Sequence, residues 1–462
     1  MRHRVISTLL DFWVEPSSAF SAVCAGEGPA FWLDSGVDAR SGVSCLGIGS
    51  STVTAASSGG LTEWPSGATH SSSIFDFLRR ELAQTSIEPL ADELFPLGWV
   101  GWLGYELREV SLDLAVGDVS RYPDAAFLFA DRAVVFDHDA HEVSLVALGD
   151  SWTAELSAWR EETERVLASM VGCRGDDLDV AAPSTSGSEP VWAYTDAEYL
   201  AMIDECQQRI RAGDAYQLCL TTEISATVHP DPVATYLRLR QLSPSHHGGF
   251  VRIGGVSLLS SSPEQFLTVS PDGRIESKPI KGTRKRGETP LHDDELLREL
   301  VSSDKERAEN LMIVDLVRND FSRVCEIGSV TVPHLLEVES YAQVHQLVST
   351  VRGRLAQGSN PVDAVEACFP AGSMTGAPKI SAVQILEGLE RRPRGIYSGA
   401  FGYFGLDGSV DLAMVIRSIV LDDEGATIGT GGGITALSVP AEELEETRIK
   451  ASALLRVLGL VP

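Results

Sequence analysis

The chain has 462 residues, of which 44% are hydrophobic, and its 65 acidic and 37 basic residues give a formal net charge of −28. At about 100 to 200 residues per domain, this length allows two or three domains, or one large α/β unit with a full core. A net charge of this size repels phosphate backbones and anionic lipid surfaces, so neither nucleic acid nor a membrane is expected as a partner.

Cysteine spacing and hydropathy both indicate a soluble protein in a reducing compartment. The seven cysteines are scattered and never spaced C-x-x-C, which argues against a disulfide framework and against a zinc site. The apolar run near the N-terminus is interrupted at Asp11, and the sequence has no stretch of about 18 apolar residues. We therefore expect an unprocessed cytoplasmic protein.

A polar segment at 172–190, rich in Pro, Gly and Ser, predicts a linker or a surface excursion. All eight Trp residues lie at or before position 192, whereas all six Lys residues lie at or after position 278. This shift divides the chain into an N-terminal region (1–171) and a C-terminal region (191–462). A genome that prefers Arg codons would explain why lysines are rare, but not where they remain.

The N-terminal region predicts a β-rich domain. The strings AFLFADRAVVFDHD and EVSLVALGD have the composition of strands. The string PLGWVGWLGYEL combines aromatic residues with Gly98, Gly101 and Gly104, which allow neighbouring backbones to approach closely. We expect this string to pack in the core of the domain.

Strands in the C-terminal region occur in groups, with helices between them. Apolar residues recur at helical spacing at about 195–212, where Thr195 can cap the helix. The strings AYQLCLTTEISA, GVSLLSSS, QFLTVS and RIESKPI predict strands, and a meander of three strands with turns at 406–408 and 423–425 follows. Grouped strands of this kind favour an α+β fold over a parallel doubly wound sheet. Further helices are predicted at about 303–321, 378–390 and 440–458.

A buried carboxylate is predicted on the helix at 303–321, which Ser303 caps. On this helix Glu309 points the same way as Ile313 and Leu316. Burying the Glu309 carboxylate costs roughly several kcal/mol unless a cation meets it. An Arg partner or a functional cation would each satisfy this requirement.

The helix at 440–458 places Glu443, Glu446 and Lys450 along one edge, beside an apolar arc. This edge is either a solvated rim or a site for Mg²⁺, which prefers one or two carboxylates, waters and an oxygen anion of the substrate. In the second case Lys450 would contact the substrate anion.

Glycine-rich and basic segments suggest that an anion binds. GTGGGIT (429–435) and GSMTGAPKI (372–380), the latter with Pro378 as first helical residue, could present backbone N–H groups, although tight turns have the same composition. The segment 278–287 carries five positive charges and fits a small anionic substrate or a basic surface loop. Arg417 lies in an otherwise apolar predicted strand and needs a carboxylate from the protein or a ligand.

Together these segments resemble a known family, because nine of its characteristic strings occur in order over roughly 195–460. The strings are SSPEQFL, PIKGTRKRG, KERAENLMIVDLVRND, HQLVSTVRGRL, GSMTGAPK, YSGAFGYF, VIRS, GTGGGI and EETRIKA. The family is that of chorismate-utilising enzymes, which includes anthranilate synthase component I, aminodeoxychorismate synthase component I, and the isochorismate and salicylate synthases. FWLDSG and GWVGWLGYEL resemble the N-terminal region of the aminating members more loosely. The resemblance implies a large mixed α/β unit with antiparallel sheets packed in a sandwich, helices outside, and a chorismate-binding catalytic region at 191–462.

The resemblance implies a covalent role for Lys281, where anthranilate synthases typically carry Ala. The Lys281 amine would attack C2 of chorismate while the C4 hydroxyl leaves. Ammonia would then displace the lysine by attacking C4, which gives 4-amino-4-deoxychorismate. A nucleophilic lysine must be neutral, and we expect Lys278, Arg284, Lys285 and Arg286 to favour that form by like-charge repulsion.

The resemblance also implies the other site roles. Glu264 would be the general acid that protonates the departing hydroxyl, and Glu309 and Glu446 would bind Mg²⁺, with Glu443 helping through water. Gln217 stands where isochorismate and salicylate synthases carry a water-activating lysine, which argues against water as the nucleophile. Substrate contacts are implied for Gly282, Thr283, Tyr397, Arg417, Gly431, Gly432, Gly433 and Lys450, with Thr375 and the catalytic residue His345 near the ring and the leaving hydroxyl.

Ammonia is expected from a separate glutamine amidotransferase subunit or from free ammonium, because the sequence shows no glutaminase segment with a Cys nucleophile and a His partner. We therefore expect a heterodimer in p-aminobenzoate and folate synthesis. The alternatives are an anthranilate synthase component I and a non-catalytic paralogue that binds chorismate. Lys285 replaces a family Pro and Cys219 a family Asn, so loop stiffness and one pocket contact stay open. The LLES-type segment linked to tryptophan binding has no clear counterpart, so feedback inhibition by tryptophan is not predicted.

Overall fold

Two sheets of antiparallel strand pairs form the centre of the computed structural model. In the part of the chain that the structure describes, each sheet has 12 strands. None of the helices there is long and apolar enough to cross a lipid bilayer. The structure describes residues 3–56, 60–87, 90, 95–114, 117–173, 188–341 and 344–461.

Strands from both regions of the chain build each sheet, the N-terminal strands forming one half of it and the C-terminal strands the other. The first sheet runs, in spatial order, β1 (Val5–Leu9), β10 (Glu142–Leu148), β9 (Arg132–Asp137), β3 (Val43–Ile48), β2 (Ala30–Asp34), β13 (His247–Ile253), β14 (Val256–Ser262), β23 (Ser418–Asp422), β24 (Gly425–Ile434), β12 (Gln217–Ala226) and β11 (Val191–Trp192), with β20 (Gly376–Ala377) also on β12. The second runs β17 (Ile280–Lys285), β19 (Val344–Arg354), β16 (Arg274–Ser277), β15 (Gln265–Val269), β22 (Val410–Met414), β21 (Ala400–Gly405), β7 (Gly98–Leu103), β8 (Ala125–Ala130), β4 (Thr52–Ala55), β5 (Leu61–Trp64) and β6 (Thr69–His70), with β18 (Thr331–Ser340) on β19.

Helices cover the outer faces of both sheets. They are α1 (Pro16–Val23), α2 (Ile74–Gln84), α3 (Arg108–Leu112), α4 (Ala154–Ala168), α5 (Asp196–Ala212), α6 (Pro232–Leu242), α7 (Pro290–Ser302), α8 (Asp304–Ser322), α9 (Pro361–Cys368), α10 (Lys379–Glu390) and α11 (Pro440–Val457). Helices α1, α6 and α11 share an apolar cluster with the first sheet, and α2, α8 and α9 share one with the second.

A third apolar cluster fills the space between the two sheets. Phe31 and Val251 of the first sheet pack there with Val100, Trp102 and Phe401 of the second. The layers are therefore helices, sheet, sheet and helices, which confirms the predicted α+β sandwich. The two regions predicted from the sequence join edge to edge in both sheets, through β2 and β13 in the first and through β7 and β21 in the second. Within the predicted linker, residues 174–187 lie outside the described residues.

The predicted helices are confirmed to within one or two residues at each end. The hydroxyl of Thr195 caps α5 as half of a capping box, and the hydroxyl of Ser303 accepts the first free N–H groups of α8. One detail is wrong, because α10 begins at Lys379 and Pro378 is its N-cap, with extended backbone angles. A proline favours either position, since its fixed φ suits both.

The predicted three-stranded meander is wrong. The chain forms four strands there: β21 and β22 pair in the second sheet, and β23 and β24 pair in the first. Between β22 and β23 the backbone crosses from one sheet to the other at a bend, where Arg417 has a left-handed φ of 49°. The sequence hides this crossing because a continuous apolar run surrounds it and no glycine marks the left-handed position.

The glycines of β7 make the close backbone approaches predicted from the sequence. A methyl group on Gly101 would lie 1.9 Å from the Ala126 carbonyl oxygen, and one on Gly98 would lie 2.3 Å from that of Phe404. These oxygens belong to the neighbouring strands β8 and β21, so the sheet can form only if β7 has no side chain at these positions.

Substitution of Gly101 tests this packing. We expect Gly101→Ala to lower the free energy of unfolding by about 3 kcal/mol or more, because backbone atoms cannot move aside as a flexible side chain can. Gly388→Ala is the control, since Gly388 lies in α10 with open space around it and alanine there should stabilise the helix by about 1 kcal/mol. Urea unfolding of both variants measures the difference, and equal stabilities would contradict the packing argument.

Candidate active site

Two glutamate-bearing helices meet beside the glycine-rich strand β24. Glu309 of α8 is 6% exposed and Glu443 of α11 is 3% exposed. A methyl group on Gly432 would lie 3.4 Å from Glu443 Oε2, and one on Gly433 would lie 3.7 Å from Glu309 Oε2. The two carboxylates therefore converge on the same stretch of β24. The sequence of either helix alone could not indicate this convergence.

Lysines supply the cations that these carboxylates need. The Lys305 amine donates to Glu443 Oε1 at 2.8 Å, and the Lys450 amine lies 2.8 Å from Glu446 Oε1. Lys450 also donates to the Gly431 carbonyl oxygen at 2.9 Å. The predicted edge of α11 is thus partly solvated and partly buried, because Glu446 and Lys450 are exposed while Glu443 is enclosed.

Glu309 does not have the Arg partner that was one of the two cations expected to compensate its buried carboxylate. Burial raises its pKa to about 7, although Lys281 and Lys305 act to lower it. Its Oε1 atom is buried and has no hydrogen-bond partner among the described residues. An ionised Glu309 is therefore left with an unfilled acceptor that points into the site.

The donor set suits a hard cation that brings further oxygen ligands with it. Among the described residues, no group of three or more His, Cys, Asp or Glu side chains is arranged to hold a metal ion by itself. Mg²⁺ does not require such a cage, because it commonly binds one or two carboxylates and completes its shell with water and substrate oxygens. The orphaned oxygen of Glu309 beside Glu443 fits this mode of binding.

Lys281 projects from β17 into the same group of carboxylates. Its side chain is partly buried, which acts to lower its pKa. The carboxylates around it, led by Glu309 and followed by Glu264 and Glu446, outweigh burial, so the net pKa is raised. The Lys281 amine is therefore held as an ammonium ion in this arrangement.

The expectation that like-charge repulsion keeps Lys281 neutral is wrong. Three of the four basic residues around it in sequence have carboxylate partners of their own, which offset their repulsion. They are Lys278 with Glu276 at 3.8 Å, Arg284 with Glu299 at 2.9 Å and Arg286 with Asp293 at 2.7 Å. Closeness in sequence did not predict which charges act on Lys281, because β17 is extended and turns neighbouring side chains to different partners.

Glu264 lies on the other side of Lys281, between β14 and β15. It is 8% exposed, and burial raises its pKa against the opposing effects of Lys281 and of a hydrogen bond from Ser373. A raised pKa keeps a carboxyl group protonated closer to neutral pH, as a general acid requires. Ser373 belongs to the GSMTGAPK string, so this string reaches the site through its serine.

The rest of the GSMTGAPK string braces the fold. The Thr375 hydroxyl, which is fully buried, donates to the Ala371 and Gly372 carbonyl oxygens at 3.2 and 3.4 Å. The Lys379 amine donates to Asp320 Oδ2 at 2.7 Å and to the Cys368 carbonyl oxygen at 2.8 Å. These contacts engage the Thr375 hydroxyl and the Lys379 amine, which would otherwise be donors to an anion. A ligand contact by Thr375 therefore stays a prediction.

The GTGGGI string is a strand, which excludes the tight turn considered from its composition. In β24, Gly431, Gly432 and Gly433 pair with Thr221, Leu220 and Cys219 of β12. Missing side chains make room for the neighbours: a methyl group would lie 2.5 Å from Gln217 Nε2 at Gly433 and 2.0 Å from the Tyr397 ring at Gly429. Gln217 is 1% exposed, and its Oε1 has no hydrogen-bond partner in the described chain.

His345 lies on β19 with both ring nitrogens engaged. Nε2 is 3.0 Å from Asp293 Oδ1 and Nδ1 is 2.7 Å from Ser340 Oγ. A substrate contact by His345 stays a prediction, and it requires one of these hydrogen bonds to open. On β17, Gly282 has a left-handed φ of 87° and Thr283 is exposed, and their substrate contacts stay predictions as well.

Arg417 is exposed at the crossing between the sheets, which corrects its predicted place inside an apolar strand. It lines a cavity of about 1080 Å³ together with Tyr341, Gln346 and Asp411. None of the ion pairs found among the described residues includes Arg417, so the structure does not show the protein carboxylate that was one of its two expected partners, and a substrate contact by Arg417 stays a prediction.

Sequence reasoning missed a buried ion pair directly behind β12. The Arg394 guanidinium donates twice to Glu390, at 2.8 and 2.7 Å, and also to the Cys219 and Met374 carbonyl oxygens. Glu106 from the N-terminal region accepts the backbone N–H of Arg394 at 2.9 Å. The signal was present in GWLGYEL, where a lone acidic residue in an apolar string requires buried donors.

Comparison with known proteins gives matches over nearly the whole chain. The family model described as chorismate binding enzyme matches residues 28–456. The chain is 45% identical to an aminodeoxychorismate synthase of Streptomyces griseus, over 99% of this chain and 64% of that protein. It is 37% identical to anthranilate synthase component 1 of Streptomyces coelicolor, over 96% of this chain and 87% of that protein.

A solved structure shows the same architecture. Anthranilate synthase component I from Streptococcus pneumoniae TIGR4 superposes with a TM-score of 0.77 and 29% identity, over 90% of this chain and 92% of that one. The chain spans between 42% and 64% of the length of the aminodeoxychorismate synthases that it matches.

Removal of Arg394 tests the buried ion pair. We expect Arg394→Met to lower the free energy of unfolding by about 3 to 5 kcal/mol, because Glu390 would stay buried without its cation. Arg448→Met is the control, since Arg448 pairs with Asp196 on the surface and its loss should change stability by less than about 1 kcal/mol. Chemical denaturation measures both values, and a small loss for Arg394→Met would contradict the interpretation.

Proposed function

The chain belongs to the chorismate binding enzyme family, and from this premise we propose that it converts chorismate and ammonia into 4-amino-4-deoxychorismate. The observation that carries the proposal is the position of Lys281, with Glu264, Glu309 and Glu446 as its charged neighbours. An amine at this place can act as the first nucleophile on the ring. The relatives named aminodeoxychorismate synthase, at 42 to 45% identity, support the same conclusion.

Covalent catalysis by Lys281 divides the amination into two displacements. The neutral amine attacks C2, the ring double bonds shift, and the C4 hydroxyl leaves as water. Ammonia then attacks C4, the double bonds shift back, and the Lys281 amine departs from C2. Because its carboxylate neighbours raise the pKa of Lys281, the ammonium must lose its proton before the first attack.

Glu264 supplies the proton for the leaving hydroxyl. Hydroxide is a poor leaving group, so the C4 oxygen must be protonated as its bond to carbon breaks. The raised pKa of the buried Glu264 favours the protonated form that this step uses. The hydrogen bond with Ser373 orients the carboxyl group.

Mg²⁺ is the proposed cofactor, with Glu309 and Glu446 as ligands and Glu443 acting through water. When bound, it supplies positive charge that neutralises the ring carboxylate of the substrate. The unpartnered Oε1 of Glu309 supports its assignment as a ligand. Lys450, held against the Gly431 carbonyl oxygen, lies beside these carboxylates and is positioned to bind a substrate carboxylate.

The remaining predicted contacts complete the proposed substrate site. Of the assigned glycines Gly431, Gly432 and Gly433, Gly432 has the open space that lets an anion approach the backbone, whereas β12 and Gln217 fill the space beside the other two. Tyr397 packs across Gly429 of the same strand, and Arg417 is free to bind a second carboxylate. We assign Thr375 and His345 to the ring and leaving-hydroxyl side, and Gly282 and Thr283 to the part of β17 that follows Lys281.

We further propose that a glutamine amidotransferase subunit delivers the ammonia, in p-aminobenzoate and folate synthesis. Anthranilate formation is the second candidate, because relatives of that name are 37% identical over most of their length. Lys281 in place of the usual Ala argues against it. Incubation with chorismate, Mg²⁺ and ammonium, followed by mass and absorbance analysis, decides between them, since anthranilate fluorescence would contradict our proposal. Binding of chorismate without turnover would instead indicate a non-catalytic paralogue.

The covalent role of Lys281 has a direct test. We expect Lys281→Ala to slow formation of 4-amino-4-deoxychorismate by about 10²-fold or more and to divert product towards the 2-amino compound, because ammonia would then attack C2 itself. Lys278→Ala removes a lysine three residues away, paired with Glu276, and should keep the normal rate and product. Product analysis by liquid chromatography and mass spectrometry reads both variants. Wild-type rate and product in Lys281→Ala would exclude the covalent step.

The acid role of Glu264 predicts a pH dependence. Glu264→Gln should lower kcat by about 10²- to 10⁴-fold while product identity stays the same. At a fixed concentration of uncharged ammonia, the wild-type rate should rise with pH below the raised pKa of Glu264, because Lys281 must lose its proton, and should level off above it, because the protonated carboxyl is then lost as fast as the neutral amine is gained. The residual activity of Glu264→Gln should keep rising with pH across this range, because only the Lys281 proton then limits the rate. An unchanged pH profile in the variant would assign the acid to another group.

A further inference from the structure

Besides Glu264, four carboxylates and three lysines share the candidate active site. Three of these carboxylates belong to residues discussed above, and the fourth is Glu306 of α8. Glu306 Oε1 lies 3.5 Å from Arg284, and Glu446 pairs with Lys450 at 2.8 Å. Lys305 is the remaining lysine, and neither the proposed chemistry nor the proposed substrate contacts use it.

Lys305 binds the most deeply buried of these carboxylates. Its amine donates to Glu443 Oε1 at 2.8 Å, where the Glu443 side chain is 4% exposed and the Lys305 side chain is 37% exposed. Charges on Glu309 and Glu446 also act on Lys305 and raise its pKa. The amine therefore stands in the region between α8 and α11 where a divalent cation would bind.

We propose that Lys305 is an internal counter-ion that occupies the metal-binding carboxylates in the free enzyme and must leave Glu443 before Mg²⁺ can bind. The inference rests on the proposed Mg²⁺-dependent function. It assigns a new role, because Lys305 sets the affinity for the metal without contacting the substrate.

Charge balance gives the physical reason. Lys281, Lys305 and Lys450 together offset most of the negative charge of the glutamates, so a divalent cation added alone would leave the site positive. Repulsion between Mg²⁺ and the nearby lysine ammonium groups opposes metal binding strongly where water is partly excluded. An anionic substrate restores the balance, so the metal and chorismate should bind together.

The position of Lys305 allows the required movement. Lys305 lies in the first turn of α8, and more than a third of its side chain is exposed, so the amine can swing into water while its stem stays in place. Lys450 has less freedom, because its amine is also fixed to the Gly431 carbonyl oxygen. Lys305 is therefore the cation that the metal displaces.

Direct measurement of metal binding tests the proposal. Isothermal titration with Mg²⁺ alone, at about pH 8 so that the carboxylates are ionised, is compared for the wild type, Lys305→Met and Lys305→Gln. We expect either neutral variant to bind Mg²⁺ about tenfold or more tightly, because the competing charge is gone. Lys305→Arg should bind as the wild type does. Lys278→Met is the matched control, since it removes a lysine paired with Glu276 and should leave the affinity unchanged.

The second measurement repeats the Mg²⁺ titration with chorismate present, on the wild type and on Lys305→Met. We expect chorismate to tighten Mg²⁺ binding in the wild type, and to do so less in Lys305→Met. Equal Mg²⁺ affinity in the wild type and the neutral variants would overturn the inference. If neither neutral variant folds, Mg²⁺ affinity that is the same with and without chorismate in the wild type would overturn it.

A product assay separates this inference from the proposed function. If the wild type makes 4-amino-4-deoxychorismate while Lys305→Met and Lys305→Gln bind Mg²⁺ with wild-type affinity, the proposed role of Lys305 is wrong and the proposed function stands. If the wild type makes anthranilate while Lys305→Met binds Mg²⁺ more tightly, the role of Lys305 stands and the function is wrong.

Discussion

Buried glutamates need cations, and this requirement organises the catalytic part of the molecule. Glu309 and Glu443 are enclosed where α8 and α11 meet β24, in an environment where an uncompensated carboxylate would cost roughly several kcal/mol. Lys305 and Lys281 supply the compensation, and Glu309 retains an unfilled oxygen. The carboxylates hold Lys281 as an ammonium, whereas burial holds Glu264 towards its acid form against the effect of Lys281. The proposed nucleophile, acid and metal ligands are thus one coupled charge system, so a change at one position alters the protonation of the others.

The scaffold that holds this charge system extends beyond the catalytic region. Both halves of the chain contribute strands to both sheets, and the glycines of β7 allow β8 and β21 to approach it closely. Glu106 fixes the backbone at Arg394, whose guanidinium reaches the carbonyl oxygen of Cys219 on β12. Since β12 pairs with the glycines of β24, the N-terminal region helps to position the strand on which the substrate is proposed to bind.

The net charge of the chain does not describe the candidate site, where lysines offset most of the negative charge of the glutamates. A net charge of −28 repels an anionic substrate at long range, whereas screening limits that repulsion to about 10 Å at ordinary ionic strength. Attraction must therefore come from local groups. Three of the six lysines lie among the site carboxylates, and a fourth, Lys379, anchors α10 to Asp320. Codon preference can account for the rarity of lysine, and the structure accounts for where these four occur.

The sequence by itself determined the helices, most strands, the α+β class and the family. Capping residues such as Thr195 and Ser303 act on groups within three residues of themselves. The family motifs can be recognised from their order in the sequence without knowing any tertiary contact. The tertiary structure decided everything that depends on residues far apart in sequence. It turned basic neighbours of Lys281 to other partners, placed three glutamates around its amine, and moved Arg417 out of a strand to a crossing between sheets. Local patterns specify backbone conformation, whereas the charge state of a side chain depends on every group that folding brings within a few ångströms.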